Sequence, residues 1–202
     1  VLVGEGLETF FDREVLVLRL NQNGTLDPTF NGGGFGYYWP ASSGTECWDA
    51  AFHPDGRIIL VGTHEAIDPF LCAINMDGTW SGQANFSGAP FGIDAMFYGV
   101  AVQADGKIVC AGYALTGASV SDMMIGCFNS DLSPDLGFSA DGYAFPSFEV
   151  TGYDVARDVL IQTDGCILVG GYATSSNGQY FALARYFPHL TLGLLNLRQS
   201  CE

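Results

Sequence analysis

The sequence predicts an all-β protein built from repeated antiparallel units, and three observations support this prediction. One phrase, an Asp-Gly pair between two apolar stretches, is written three times, at Asp55–Gly62, Asp105–Ala114 and Asp164–Ala173. A second apolar phrase recurs between these copies. No segment keeps the 3.6-residue apolar period of a helix for three turns. The pattern therefore favours several short strands in each unit and almost no helix.

Each Asp-Gly pair marks a hairpin between the first two strands of a unit. The pair follows an apolar run, which ends at residue 52, 102 or 161, and then a polar residue, His53, Gln103 or Gln162. Gly and Asp tolerate the positive φ that a tight or bulged turn demands, so the pair is a strong hairpin signal. The apolar run before each pair is therefore predicted to be the inner strand of its unit.

The second phrase predicts the third strand of each unit. It occurs at residues 15–21, 70–75, 124–129 and 181–186. A polar turn follows in three copies, and then a Gly-rich aromatic segment whose last part predicts a short outer strand. The second unit departs most from this pattern, because Trp80–Gln83 replaces the usual turn. Four strands per unit, with inner strands apolar on both faces, are typical of twisted sheets packed radially around an axis.

The length of the unit matches one four-stranded blade of a β-propeller. Gly56 and Gly106 are 50 residues apart, and Gly106 and Gly165 are 59 residues apart. The chain contains fewer than four complete units, whereas closed propellers carry about four to eight blades. We therefore expect either that an N-terminal portion is missing or that a small ring closes by strand exchange between the first and last units. Cutting the chain at each inner strand predicts blades at about residues 1–46 (partial), 47–96, 97–152 and 153–187, with 188–202 as a last strand or a linker.

Three phrases together resemble the delta-60 repeat, a bacterial β-propeller repeat. They are Gln103–Ala114, Phe181–Tyr186 and Asn23–Gly34, and the resemblance covers residues 1 to about 187. It implies a secreted or surface-attached bacterial protein from a family of mostly unassigned function. For relatives in Bacteroidota it also implies export by type IX secretion, with a C-terminal sorting domain after a linker such as residues 187–194. We therefore expect a non-catalytic extracellular or outer-surface scaffold for binding or adhesion, with the type IX machinery as one partner.

The charge of the chain argues against two classes of partner. The sequence has 22 acidic and 7 basic residues, which gives a formal net charge of −15. Such a surface repels phosphate backbones and anionic lipids, so we expect no nucleic-acid partner. No run approaches the roughly 20 apolar residues of a transmembrane helix, so we expect no direct membrane insertion.

A cluster of aromatic residues is the candidate ligand site. Tyr37, Tyr38 and Trp39 are consecutive in the outer-strand segment of the first unit, and Trp48 and Trp80 are further candidate rings elsewhere in the chain. Flat exposed rings can bind a surface glycan or a protein ligand, and the same rings can instead pack between blades. The sequence leaves both alternatives open.

One polar turn is the candidate metal site. Asn21, Asn23 and Asp27 place side-chain oxygens at a spacing that loosely resembles a calcium loop, but the bidentate glutamate is missing. A structural turn explains the same residues. We therefore expect no cofactor, with calcium as the alternative.

The acidic residues near the inner strands suggest a second function. Asp49, Asp154 and Asp158 can converge on a central channel, as the paired carboxylates of glycoside hydrolases do. The alternative function is therefore a carbohydrate-active propeller enzyme. Solvated carboxylates that discourage edge-to-edge pairing of strands explain the same residues.

The six cysteines have no paired metal-ligand spacing. Cys110 and Cys127 fall on strands that we predict to be antiparallel neighbours. A disulfide between them would close a loop of 16 intervening residues and contribute about 3 kcal/mol. Two buried free thiols are the alternative.

Overall fold

The structure is a computed structural model, and its described part contains fifteen β-strands in four antiparallel sheets and no helix. This confirms the predicted all-β class. No helix that is long and apolar enough to span a membrane occurs among the described residues. The described residues are 1–9, 12–38, 44–64, 68–84, 86, 94–117, 120–148, 152–176, 178–187 and 197–199.

Each sheet is one blade, and its strands follow one another in chain order from the inner to the outer edge. The first blade contains β1 (Leu2–Thr9), β2 (Asp12–Leu18) and β3 (Phe35–Tyr38). The second contains β4 (Thr45–Phe52), β5 (Ile58–His64), β6 (Asp68–Ile74) and β7 (Trp80–Gln83). The third contains β8 (Ala95–Val102), β9 (Ile108–Gly117), β10 (Val120–Phe128) and β11 (Tyr143–Ala144). The fourth contains β12 (Asp154–Ile161), β13 (Ile167–Ser175), β14 (Gly178–Tyr186) and β15 (Leu197–Gln199).

The Asp-Gly pairs form the hairpin turns that the sequence predicts. Gly56, Gly106 and Gly165 join the first two strands of the second, third and fourth blades, with φ of 96°, 87° and 82°. This left-handed region favours glycine because a Cβ atom would clash with the backbone. In the second-blade turn, the Asp55 carboxylate accepts a hydrogen bond from the backbone N–H of Arg57 at 3.0 Å. The turn is therefore held by both residues of the pair.

The first blade has three strands in the described part of the chain, because β1 holds the repeat position of β5, β9 and β13. The register shows this equivalence. Gly4 of β1 lies opposite Leu16 of β2, as Gly62 of β5 lies opposite Phe70 of β6. The inner strand, which is β4, β8 or β12 in the other blades, has no counterpart beside β1 among these residues.

The core consists of three apolar clusters, and each cluster lies between two successive blades. The middle two blades are covered on both faces, which explains why β5, β6, β9 and β10 are apolar almost throughout. The first cluster joins Val15, Val17 and Phe30 to Ile58, Leu60 and Phe70. The second joins Ile59, Val61 and Leu71 to Phe97, Met124 and Phe128. The third joins Val109, Met123 and Ile125 to Val159, Val169 and Ala182.

The fourth blade is completed by its own last strand. Strand β15 pairs with β14, and no described strand of the first blade joins this sheet. The described strands therefore do not form the small ring closed by strand exchange that the sequence left open. The second blade also has an outer strand, β7, in the segment where its sequence departs from the repeat.

Candidate functional site

The predicted aromatic site is divided between the core and the surface. Tyr38 is buried in the core between the first two blades, and its hydroxyl donates a hydrogen bond to the carbonyl oxygen of Gly78 at 2.6 Å. Its ring stacks on Trp80 with centroids 6.4 Å apart, and burial raises its pKa to about 12. Tyr37 is half-buried, and Trp39 lies outside the described residues. For Tyr38 the geometry favours packing between blades over ligand binding.

The side chains of the candidate calcium turn bind one another. The Asn21 amide donates to the Thr25 hydroxyl at 3.1 Å, and Asn23 Oδ1 accepts from the backbone N–H and the hydroxyl of Thr25 at 3.1 and 2.7 Å. The Asp27 carboxylate forms an ion pair with Arg19 at 2.9 Å. No group of three or more His, Cys, Asp and Glu side chains that could hold a metal occurs in the described part of the chain. These contacts are those of a structural turn, and calcium binding stays an untested alternative.

The same turn recurs in the next two blades with an aspartate in place of Asn23. Asp77 Oδ1 accepts from the backbone N–H and the hydroxyl of Thr79 at 2.9 and 2.7 Å. Asp131 accepts in the same way from Ser133 at 3.0 and 2.5 Å. These hydrogen bonds stabilise the charged carboxylate and hold the pKa values of Asp77 and Asp131 below their usual value. Both turns are therefore expected to weaken in acid.

We expect the Asp77→Asn variant to lose less stability in acid than the parent chain. A lowered folded-state pKa contributes stability that is complete above the usual value of 3.8 and is lost as the pH falls through the folded-state pKa. Asparagine keeps the Oδ1 acceptor, as Asn23 does in the first blade, and does not titrate. Thermal unfolding at pH 7 and at pH 3 measures how far the Tm falls in the variant and in the parent chain. Asp68→Asn, at an exposed residue, is the charge-matched control, and an equal benefit from both variants would contradict the prediction.

Cys110 and Cys127 lie on the neighbouring antiparallel strands β9 and β10, as the sequence predicts, but both are free thiols. Cys110 pairs in register with Gly126, and Cys127 pairs with Val109. Successive residues of a strand point to opposite faces of the sheet. Cys110 therefore packs toward the second blade and Cys127 toward the fourth. The disulfide alternative is wrong for this structure, and burial raises the pKa of both thiols.

The carboxylates near the inner strands accept hydrogen bonds from the backbone. Asp49 accepts one N–H from its own strand at 2.8 Å and the N–H of Val100 in the third blade at 2.9 Å. Asp154 is fully buried, and its carboxylate accepts a backbone N–H at 2.5 Å. Asp158 holds the repeat position of Asp49 in the fourth blade, but the blade between them has Gly99 there. Asp49 therefore links two blades, which is a structural role.

A second candidate site lies on the inner strands, and of its residues the sequence analysis had named only Trp48 as a candidate ring. The register of each inner strand with the next strand shifts at one repeat position, which is Trp48 in β4, Tyr98 in β8 and Arg157 in β12. Each shift is a β-bulge, which bends the strand and re-aims the side chain of the extra residue. The three side chains meet across three successive blades. We call Trp48, Tyr98 and Arg157, with Tyr113 and Tyr172 beside them, the inner-strand row.

The inner-strand row is a continuous set of ring and guanidinium contacts. The rings of Trp48 and Tyr98 meet edge to face with centroids 5.4 Å apart, and Tyr113 stacks on Tyr98 at 6.1 Å. The Arg157 guanidinium carbon lies 4.3 Å from the ring centroid of Tyr98 and 5.4 Å from that of Tyr172. Trp48 is 47% exposed, and Arg157 is also exposed. The row therefore presents flat apolar surface beside hydrogen-bond donors.

The chemistry of the row suits a ligand that has both a flat apolar face and hydrogen-bond acceptors. An exposed indole can stack on such a face, and a guanidinium held over an aromatic ring keeps donors at its edge. When the three inner strands are aligned on their Asp-Gly pairs, Trp48, Tyr98 and Arg157 occupy the same position, and this was the available signal in the sequence. The bulge that brings the three side chains together is a property of strand pairing, so the shared position alone did not identify the site.

A concavity of about 360 Å³ lies between the third and fourth blades beside their Asp-Gly turns. Its lining includes Gln103, Lys107 and Asp135, and Lys107 Nζ lies 2.7 Å from the Asp135 carboxylate. Between the second and third blades, the ring of His53 reaches the next turn, with Nε2 2.8 Å from the carbonyl oxygen of Gly106. The third blade has Gln103 in place of His53. The concavity therefore has a mixed polar and apolar lining and contains a formed ion pair.

Three segments of the chain, residues 12–30, 103–138 and 162–192, match a family model described as a domain of unknown function (DUF5122) beta-propeller. They fall in the first, third and fourth repeats of the sequence, and together they make up less than half of the chain. The second blade, whose sequence departs most from the repeat, lies outside them. No curated protein matches the chain. The matched segments and the four blades identify the chain as one built from β-propeller repeats similar to those of the DUF5122 beta-propeller domain.

Proposed function

We propose that the chain is a non-catalytic β-propeller scaffold of an exported bacterial protein, and that it binds a surface glycan through the inner-strand row. The observation that carries this proposal is the row itself, in which three successive blades contribute an exposed or half-exposed ring or guanidinium at one repeat position. The Asp49 carboxylate beside it is engaged by two backbone N–H groups. This engagement supports binding over hydrolysis by a carboxylate pair.

A neutral glycan fits the row better than a charged polymer does. The C–H face of a sugar ring stacks on an indole or phenol ring, and its hydroxyl groups accept hydrogen bonds from a guanidinium. The net charge of −15 disfavours anionic polysaccharides. The Arg157 guanidinium lies over two tyrosine rings, and these contacts fix the orientation of its N–H donors.

Removal of the exposed indole is expected to weaken glycan binding about tenfold, which corresponds to ~1.4 kcal/mol. Isothermal titration calorimetry of the Trp48→Ala variant with cellohexaose, chitohexaose and a galactan oligosaccharide measures this change. The matched control is Trp80→Ala, which removes another exposed tryptophan that stacks on a tyrosine but lies on an outer strand. The control should bind as the parent chain does. Equal losses in the two variants, or no binding of any probe by the parent chain, would contradict the proposal.

The proposal includes export, with type IX secretion as the route and the outer cell surface or the medium as the destination. The resemblance of the three repeat phrases to secreted bacterial repeats supports this part. Antibodies raised against the chain should label intact cells of the source bacterium or detect the protein in the medium. Labelling that requires permeabilised cells, with no protein in the medium, would contradict export.

A further inference from the structure

The concavity between the third and fourth blades is separate from the inner-strand row. None of its lining residues belongs to the row, and both of its walls belong to four-stranded blades. Its volume of about 360 Å³ lies at the lower end of the range of about 300–1,000 Å³ that is typical of pockets for small molecules. The concavity is therefore large enough for one small organic molecule.

An arginine crosses the corresponding interface between the first and second blades. Asp27 and Asp135 hold the same repeat position, because their backbone N–H groups donate to the carbonyl oxygens of Arg19 and Cys127 at 2.9 and 2.8 Å. The Arg19 guanidinium forms an ion pair with Asp27 and donates a hydrogen bond to the carbonyl oxygen of Met76 in the second blade. In the third blade, the small side chain of Cys127 replaces this arginine.

An arginine also crosses the interface between the second and third blades, but none crosses from the third blade to the fourth. The Arg57 guanidinium donates to the carbonyl oxygen of Ser130 in the third blade at 2.6 Å. Lys107 holds the repeat position of Arg57 in the third blade, and its Nζ lies 2.7 Å from Asp135 of its own blade. The third blade contains no arginine. The concavity therefore lies where the other two interfaces hold a guanidinium.

The ion pair in the concavity offers both charges to a ligand. Asp135 is buried, and its carboxylate accepts from Lys107 Nζ through one oxygen and from the N–H of Gly137 through the other. An ammonium group has three donors and a carboxylate has about four acceptor positions, so each partner keeps unused capacity. The side-chain amide of Gln103 makes no hydrogen bond to the described residues, and it adds a further donor and acceptor.

The opposite part of the lining is apolar. It includes Phe138, Ile161 and Ile167. Phe138 holds the repeat position of Phe30, whose ring has the Arg19 guanidinium 5.2 Å from its centroid. Among the described residues, no cation lies over the ring of Phe138. A ligand with an apolar side chain can therefore pack here without displacing a charged group.

We propose that this concavity binds a free α-amino acid with an aliphatic side chain. The carboxylate of the ligand accepts hydrogen bonds from Lys107, its ammonium group donates to Asp135, and its side chain packs against Phe138 and Ile161. The two charges of an α-amino acid are attached to one carbon atom, so they can meet adjacent protein charges at the same time. The ligand has no net charge at neutral pH, and the net charge of −15 does not repel it.

L-Leucine is the probe, and isothermal titration calorimetry of the parent chain measures its binding. We expect saturable binding and a rise in Tm when leucine is added. Leucine amide and N-acetyl-leucine each lack one of the two charges, and 6-aminohexanoate carries both charges far apart. Each should bind at least about tenfold more weakly than leucine, because a charge-assisted hydrogen bond is lost. Glycine should also bind more weakly, because it has no side chain to pack.

Two variants locate the site. Lys107→Gln removes the partner of the ligand carboxylate and should weaken leucine binding at least about tenfold. Cys127→Arg restores the arginine that the first blade has at this position, so its side chain should fill the concavity and abolish binding. Arg57→Gln is the matched control, because it removes a cation at the repeat position of Lys107 in another blade, and it should bind leucine as the parent chain does. The Tm of each variant shows whether it is folded.

No saturable binding of leucine by the parent chain would overturn the proposal. Equal binding of leucine amide or N-acetyl-leucine would also overturn it, and this comparison needs no variant to fold. Unchanged binding by a folded Lys107→Gln or Cys127→Arg variant would place leucine elsewhere and would likewise overturn it. The outcome is separate from that of the glycan proposal. Trp48→Ala should leave leucine binding unchanged, and Lys107→Gln should leave glycan binding unchanged.

Discussion

Replacement of Gly112 by alanine is expected to lower the free energy of unfolding by about 3 kcal/mol. The added Cβ atom would lie 1.7 Å from the carbonyl oxygen of Met96. Both atoms belong to paired backbone in β8 and β9, so the contact is relieved only if the two strands separate locally. Urea unfolding followed by circular dichroism measures the loss. Hydrogen exchange should show the loss of protection in β8 and β9 first, because repeat arrays are stabilised mainly by neighbouring units.

Gly4→Ala is the matched control for this prediction. Gly4 occupies the same position of the same repeat phrase, and a Cβ atom there would meet nothing within 4 Å. The stability of this variant should lie within about 0.5 kcal/mol of the parent chain. If the two alanine variants lose equal stability, the effect comes from the phrase itself, and the proximity of the inner-strand carbonyl does not explain it.

Replacement of Phe128 by alanine is expected to cost about 3–5 kcal/mol, which is the range for truncating a buried phenylalanine. Phe128 is 1% exposed and lies in the cluster between the second and third blades. Its ring makes edge-to-face contacts with Phe86, Phe97 and Tyr143, with centroids 6.0, 6.2 and 5.8 Å away. The variant loses these contacts and leaves a cavity that rigid neighbouring strands fill only in part. Urea unfolding measures the change.

Phe52→Ala serves as the control for the core variant. Phe52 is also a phenylalanine at the end of a strand, but it is 60% exposed. Its removal should change stability by less than about 0.5 kcal/mol. A loss at Phe52 as large as that at Phe128 would show that the interblade cluster does not dominate the stability of this region.

The blades give the inner-strand row a rigid support. Trp48, Tyr98 and Arg157 lie on different strands, yet each stands at a bulge whose flanking residues are paired with the next strand. Asp49 ties β4 to β8 by accepting the N–H of Val100 at 2.9 Å. Binding groups held on paired strands lose little freedom when a ligand binds, so this arrangement favours affinity.

The local signals in the sequence were enough to determine the architecture. The Asp-Gly pairs specify hairpins because the backbone at Gly56, Gly106 and Gly165 must adopt positive φ. The apolar phrases specify strands that are buried on both faces, and the repetition of these phrases specifies a stack of similar blades. Each of these signals acts within about ten residues of chain, so it can be read without knowledge of the neighbouring blades.

Only the tertiary structure determined on which face of its sheet each side chain lies and which residues form the site. A change of one residue in register moves a side chain to the opposite face of a sheet, so strand pairing separated Cys110 from Cys127. Packing of the first blade against the second buried Tyr38. The bulges brought Trp48, Tyr98 and Arg157 together from three blades. Register and bulges depend on how two strands of a hairpin pair, and the contacts between blades join residues 50 or more positions apart in the chain. For that reason the sequence alone determined the blades but not the site.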